Sequence, residues 1–480
     1  MLARCKICFR FSLLLAALML FPGVPMHAAG GLAETVRIRI DPDTVVNRIS
    51  PAFIGFGYET SAVAQTNYFT AGNATLIRLY RNLGAHGLIR IGGNISDHTR
   101  YEADGAPAVH TERDVTIINR ANLNDLAGFV QATGWQVMWG LNLGTGSKEA
   151  AAREAVAVDQ ALGSLLQSFE IGNEVDIHGR YDLNCGDFAA YHSNYLTFKA
   201  VIKMALPAAV FSGPDVAGNV GWLRSFANNE GGDIRLLTHH YYRTGARSPE
   251  ATLENLLKPD TAWQERLRQL QVVSRESKVP FRINEINSFY GGGKAGVSDT
   301  FGSALWCLDN MFVLASCGCD GVNMETDINQ LGWISHYSPI VHDAAMTCHA
   351  RPEYYGMLAS ALAGKGNLLK LTLDKDDVNL TAYATKDEHG AVWLTTINKD
   401  FVLDAALEVP LPRGCSAAAA FWLRAPAVDA KDRVTFAGAE VATDGQWAPG
   451  AAEPVMVKDG TFALLVPHAS AVVVRFTRTD

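Results

Sequence analysis

Two glutamates stand where acid–base chemistry could be done. Glu174 closes the run Phe169-Glu170-Ile171-Gly172-Asn173-Glu174, and Glu285 stands in Phe281-Arg282-Ile283-Asn284-Glu285-Ile286-Asn287. Each follows a short apolar stretch, and each is directly preceded by Asn. Two carboxyl groups facing each other across a glycosidic bond are the minimum equipment for cutting it. One must carry a proton and the other must stay ionised. Either glutamate alone reads equally well as a surface or capping residue. The pair, in the same Asn-Glu context at two strand ends, calls for a scaffold that brings them together.

That scaffold is legible as an alternation. Residues 53–58 run into Glu59, 88–91 into Gly92-Gly93-Asn94, and 137–141 into Asn142. Residues 169–171 precede Asn173-Glu174, and 210–211 precede Ser212-Gly213-Pro214-Asp215. Residues 234–237 lead to His239-His240-Tyr241-Tyr242, 281–283 to Asn284-Glu285, and 322–324 to Glu325. Helices are expected between these runs at 75–83, 123–132, 148–166, 188–204, 253–274 and 301–315. Strand and helix in alternation predict a parallel sheet with crossover helices, and eight such units suit a (β/α)8 TIM barrel. An open doubly wound sheet is the alternative, but no Gly-rich nucleotide fingerprint follows the first strand. Active sites of such barrels lie at the C-terminal strand ends. Glu174 ends the fourth strand and Glu285 the seventh, which sets them across one mouth. Glu325, ending the eighth, is a rival for the place of Glu285.

Beyond about Pro352 the rhythm changes to short strand-like runs punctuated by Gly, Pro and Asp, with no long helix. This predicts a β-sandwich. Residues 35–40 alternate apolar and polar and are expected to join it. The expected layout is a signal peptide at 1–29, the early strand at 35–50, a catalytic barrel at 51–355 and the sandwich at 356–480.

The N-terminus has a basic segment with Arg4, Lys6 and Arg10, an apolar run at 11–21, and small residues around Ala28 and Ala29. It reads as a secretory signal, and the run is shorter than the roughly 20 residues that a membrane anchor needs. The mature chain is therefore expected to be secreted or periplasmic. Hydrophobic residues make up 48% of the chain and charged ones 19%, as in a globular protein. The net charge of −8 argues against a nucleic-acid partner. Of eight cysteines, Cys5 and Cys8 leave with the signal; the other six show no zinc-ligand spacing, and buried free thiols are the plainer expectation. His239 and His240 read better as hydrogen-bonders than as metal ligands. Among the tryptophans, Trp135 and Trp306 read as core, and Trp333, in a Gly-containing loop, as a stacking platform for a sugar ring.

These residues also resemble a known family. Phe-Glu-Ile-Gly-Asn-Glu at 169–174 looks like the acid/base motif of clan A retaining glycosidases. Asn284-Glu285-Ile286-Asn287-Ser288-Phe289-Tyr290-Gly291-Gly292-Gly293, with Ser298-Asp299-Thr300-Phe301 after it, resembles the nucleophile segment of glycoside hydrolase family 79, which contains β-glucuronidases and heparanases. Arg90-Ile91-Gly92-Gly93-Asn94, His239-His240-Tyr241-Tyr242 and Tyr337-Ser338-Pro339-Ile340 extend the likeness over about 51–360. The resemblance implies Glu174 as acid/base, Glu285 as nucleophile, and Asn173 on the sugar's 2-hydroxyl. It implies Tyr241 hydrogen-bonded to the nucleophile, and Tyr290 with the N–H groups of Gly291 and Gly292 on a glucuronate carboxylate. Glu59 and Asn94 would meet sugar hydroxyls, and Tyr337 would also reach the carboxylate. Neither a metal nor an organic cofactor is implied. The physics fits, because glycines let backbone donors approach an anion closely. The expected activity is retaining β-glucuronidase on glucuronic-acid-containing carbohydrate. An endo-acting heparanase and a non-catalytic carbohydrate-binding barrel are the alternatives.

Overall fold

The computed structural model describes residues 33–108, 115–177 and 186–478; the expected signal peptide and Cys185 lie outside them. Eight strands close a barrel. They are β1 (Gly55–Glu59), β2 (Leu88–Gly92), β3 (Gln136–Leu141), β4 (Leu166–Ile171), β5 (Phe211–Val216), β6 (Ile234–Gly245), β7 (Phe281–Tyr290) and β8 (Val322–Glu325). Neighbouring strands pair in parallel around the ring in chain order, and β8 closes on β1 through Glu325 opposite Gly57. This is the expected (β/α)8 TIM barrel.

The crossover helices start where short polar side chains cap them. Ser147 accepts the N–H of Ala150, Asp187 that of Ala190, and Asp260 that of Trp263. The helix expected over 253–274 is two, Leu253–Leu257 and Thr261–Ser277. Pro259 lies between them, and a proline can neither donate to a helix nor leave its predecessor helical. Two further helices escape the sequence reading. Val220–Glu230 is capped by Asn219, and Pro352–Ala363 opens on a proline, the residue that best tolerates a first helical position. The second packs beside Phe301–Ser316 and completes the barrel's wall where only short strands are expected.

The C-terminal residues form an eleven-stranded sheet with a core of its own, in which Leu394, Leu407, Trp422, Phe462 and Val474 are buried. The early strand, Ala33–Arg48, lies inside this sheet. It runs antiparallel to Asn367–Asp374 and parallel to Asp404–Pro410. Val36, Ile38 and Ile40 face the core at every second position, as a strand's pleat requires. The sheet is tied to the barrel by Asp309 on helix Phe301–Ser316. Asp309 accepts hydrogen bonds from Thr381 Oγ1 at 2.6 Å and Tyr383 OH at 2.8 Å, and pairs with Lys399. The rings of Phe312 and Tyr383 stack beside it at 4.9 Å.

Trp135 and Trp306 are core, as expected, and so is Trp139, whose Nε1–H donates to Glu154 Oε1 at 2.8 Å. Burial pushes Glu154 up to about 8, and the Trp139 bond only partly offsets this. A carboxyl raised in the fold contributes stability below its ordinary value and loses it as pH climbs toward the raised one. Stability should therefore fall between about pH 5 and pH 8, by up to ~1.4 kcal/mol per unit of separation. Glu154→Gln keeps an acceptor for Trp139 without the charge. Urea unfolding of this variant should give a flatter profile and a more stable protein at pH 8; superimposable profiles would refute the buried-acid account.

Candidate active site

Glu174 and Glu285 reach one mouth by different routes. Glu174 sits three residues past β4, after Gly172, and both have left-handed backbone, with φ of +83° at Gly172 and +48° at Glu174. That geometry costs a residue with a β-carbon roughly 1–2 kcal/mol, so the turn is held by its surroundings. Glu285 lies within β7, where the pairing with β6 shifts register between Ile283 and Glu285. The irregularity lets consecutive side chains, Asn284 and Glu285, both turn into the barrel, which a regular strand forbids. Carboxylate oxygens of Glu174 and Glu285 and a ring nitrogen of His240 all lie within 4.8 Å of one another.

The guanidinium of Arg90, from β2, sits fully buried beneath them. Its Nη1 donates to Glu285 Oε2 at 2.8 Å. Nη2 donates to Asp215 Oδ2 at 2.7 Å and to Asn173 Oδ1 at 2.6 Å, and Nε reaches Glu170 Oε2 at 3.5 Å. Burial opposes its charge, but Asp215, Glu285 and Glu170 outweigh that and hold it well above the usual range. Asn284 Nδ2 bridges the same acids, donating to Asp215 and to Glu170. Burial and the Asp215 charge push Glu170 up to about 7. Asp215 goes the other way. Burial works against its ionised form, yet Arg90 and His240 hold it well below the carboxylate range.

His240 completes the network. Its Nε2 pairs with Asp215 Oδ1 at 2.7 Å and its Nδ1 faces Glu174 Oε1 at 3.3 Å and Glu285 Oε2 at 3.7 Å. Burial disfavours the cation, but Glu285 and Asp215 raise the ring well above its ordinary value. As an imidazolium it donates to both sides. His239, on the opposite face of β6, is buried against Trp263, and burial brings it down to about 3. Neither of its ring nitrogens has a partner among the described residues, so the hydrogen-bonding expected of the pair belongs to His240.

One expected contact is corrected by the same alternation. Tyr241 does not touch Glu285. Its ring stacks on Trp263 at 4.0 Å, outside the barrel, and its hydroxyl donates to Asp260 at 2.7 Å. Tyr242 points inward and donates to Glu285 Oε1 at 3.0 Å. With His240 facing in, period two puts 242 beside it and 241 behind.

The other expected residues fall as follows. Asn173 is fixed between Arg90 and Asn94, donating from Nδ2 to Asn94 Oδ1 at 3.0 Å. Glu59, at the end of β1, accepts the Ile95 N–H at 2.8 Å, over Gly93. Tyr290 is 60% exposed and meets the Tyr242 ring edge-on at 6.3 Å. Gly291 and Gly292 follow with φ of +83° and +87°. A β-carbon on Gly292 would lie 2.3 Å from the Trp333 ring, so this loop must be glycine to let the indole pack down. The ring of Tyr337 is buried 6.1 Å from that of Tyr242. Asp215, Glu170, Asn284 and Tyr242 were not among the expected site residues. The signal for them was Arg90, a cation inside the apolar run Leu88-Ile89-Arg90-Ile91, which must find anions when the strand is buried.

The family model of the glycosyl hydrolase family 79 N-terminal domain matches residues 73–312. The chain belongs to glycosyl hydrolase family 79 and is a glycoside hydrolase. A beta-glucuronidase of Aspergillus niger is 26% identical over 402 residues, covering 74% of this chain and 73% of that protein. A heparanase of Bos taurus is 23% identical over 337 residues, 57% of this chain and 60% of that one. The crystal structure of a 4-O-alpha-L-rhamnosyl-beta-D-glucuronidase from Fusarium oxysporum shares the fold, with a TM-score of 0.73 at 19% identity over 92% of this chain and 100% of that one.

Arg90→Met should strand several buried acceptors at once. We expect a loss of about 3–5 kcal/mol in urea unfolding, as for one broken buried ion pair, together with loss of turnover. A variant as stable as the parent would show that the network is not held by the cation.

Proposed function

We propose that this chain is a retaining β-glucuronidase that works by double displacement. One observation carries the mechanism: the separation of Glu174 and Glu285, whose carboxylate oxygens come within 4.8 Å. Retaining enzymes space their carboxyls at about 5–5.5 Å, and inverting ones leave about 6.5–9.5 Å for a water. Glu285 receives donors on both oxygens, from Arg90 and Tyr242, an arrangement suited to an anionic nucleophile. It attacks the anomeric carbon while Glu174, in reach of the His240 imidazolium, protonates the leaving oxygen. Glu174 then takes the proton from the water that releases the sugar. Asn173, locked by Arg90 and Asn94, meets the 2-hydroxyl, and Glu59 and Asn94 meet further hydroxyls.

The substrate assignment rests on the loop after β7 and on the named relatives. Among the described residues the N–H groups of Gly291 and Gly292 make no backbone hydrogen bond, and Tyr290, 60% exposed and next to them in the chain, carries a neutral hydroxyl donor whose ring lies over Gly245. Backbone donors on left-handed glycines, with a tyrosine hydroxyl adjacent in the chain, suit a carboxylate such as that of glucuronate. Tyr337, whose ring lies 6.1 Å from that of Tyr242 and whose backbone packs against Gly293, would also reach that carboxylate. Export, from the N-terminal segment, belongs to the same proposal. The mouth carries Glu59, Glu174, Glu285 and Glu325 and the chain is net acidic, which favours glucuronic acid on a weakly charged partner over a densely sulfated chain.

Two measurements test this. Glu285→Gln should lower kcat on p-nitrophenyl β-D-glucuronide by about 10⁴-fold or more with the fold intact by circular dichroism, and near-normal turnover sinks the nucleophile assignment. Glu174→Ala should spare p-nitrophenyl glucuronide more than an alkyl glucuronide, by about 10²-fold or more, because a good leaving group needs little proton help. Equal losses on both would remove Glu174 from the acid role. Size loss of heparan sulfate without release of p-nitrophenol would favour the heparanase-like alternative.

A further inference from the structure

A fourth glutamate shares the mouth, and the mechanism above does not use it. Glu325 ends β8, between β1, which carries Glu59, and β7, which carries Glu285. It is 4% exposed, and its Oε2 has no hydrogen-bond partner among the described residues. The strand opposite makes room for it. A β-carbon on Gly57 would stand 2.4 Å from Glu325 Oε2, so β1 carries a glycine where the carboxyl lies. An acid placed there for packing alone would cost the full penalty of an unpaired buried polar group.

Among the described residues the nearby cations are already engaged elsewhere. The donors of Arg90 go to Glu285, Asp215, Asn173 and Glu170, and His240 is held between Asp215 and Glu174. Burial, Glu285 and Glu59 together raise Glu325 well above the ordinary carboxyl range, against the pull of Arg90 and His240. Tyr242 and Tyr337 line the same space as neutral hydroxyl groups. A carboxyl in these surroundings keeps its proton, and so offers both a donor and an acceptor to whatever enters the mouth.

We propose that Glu325 is a substrate-binding residue whose carboxyl group hydrogen-bonds a ring hydroxyl of the sugar held between Glu174 and Glu285. The proposal rests on the glycosidase reading of that pair. It assigns Glu325 to affinity and sugar selection, and bond cleavage stays with Glu174 and Glu285. A proton on Glu325 also keeps a further negative charge away from the nucleophile. Ionisation at alkaline pH would put that charge beside Glu285 and Glu59 and weaken binding.

The test compares Glu325→Gln and Glu325→Ala with the parent on p-nitrophenyl β-D-glucuronide across pH, with folding followed by thermal melting. Glu325→Gln stays neutral and keeps a donor and an acceptor. It should hold kcat within about fivefold and move the alkaline limb of kcat/KM upward by about half a unit or more. Glu325→Ala should raise KM about tenfold or more with a smaller change in kcat. An unchanged KM in a folded Glu325→Ala overturns the proposal. So does a Glu325→Gln as dead as Glu285→Gln, which would make Glu325 part of the cleavage chemistry. A parent inactive on the glucuronide but active on another p-nitrophenyl glycoside would instead overturn the glucuronidase reading, and the same comparison of variants on that sugar still decides the role of Glu325.

Discussion

One buried guanidinium organises this active site. Arg90 enters the barrel from β2 at zero exposure, and such a charge is tolerable only when fully paired. It therefore dictates what stands around it. Glu285 is fixed by one arm, Asp215 and Asn173 by another, and Glu170 lies against the third nitrogen. Through Asn173 the grip passes to the left-handed turn that carries Glu174. Through Asp215 it passes to His240, which faces Glu174 and Glu285 together. The spacing of the two candidate catalytic carboxyls is thus set by one cation and its ligands. Loop conformation alone would leave it loose.

The same network divides protonation among neighbouring acids. Asp215 stays ionised beside Arg90 and His240, while Glu170, a few ångströms away, is raised by burial and by Asp215 itself. Glu325 is also raised well above the ordinary carboxyl range, by burial and by the charges of Glu285 and Glu59. The barrel interior is charged where barrels of this architecture are usually filled by branched apolar side chains. The cost of that choice is met by mutual pairing, and the return is a site rigid before substrate arrives.

Much of this could be read from the residues. The eight strands stood out because each is a short apolar run leading into polar residues, most of them Glu, Asn, His or Tyr, and the early strand showed its period of two at Val36, Ile38 and Ile40. The pair Glu174 and Glu285 followed from counting strands. Local detail was harder. Tyr241 and Tyr242 are adjacent and chemically alike, and only the facing of His240 decides which of them touches Glu285. The register shift before Glu285 has no signature in Ile283-Asn284-Glu285. Asp215 and Glu170 could have been sought from Arg90, since a cation within an apolar strand demands anions from other strands, but which strands supply them is fixed only by ring closure. The helix Pro352–Ala363 is buried at nearly every position and so shows little apolar period, and Val220–Glu230 is a short segment set off only by Asn219 and Gly231.

Arg90 holds Glu285 close to Glu174, and in the proposed mechanism this spacing excludes direct attack by water on the bound sugar. Proton NMR of the first sugar released from p-nitrophenyl β-D-glucuronide, recorded before the anomers equilibrate, tests this most directly. Retention predicts β-glucuronic acid first, with the α-anomer growing in later by mutarotation. The α-anomer appearing first would mean single displacement by water, and would contradict the account.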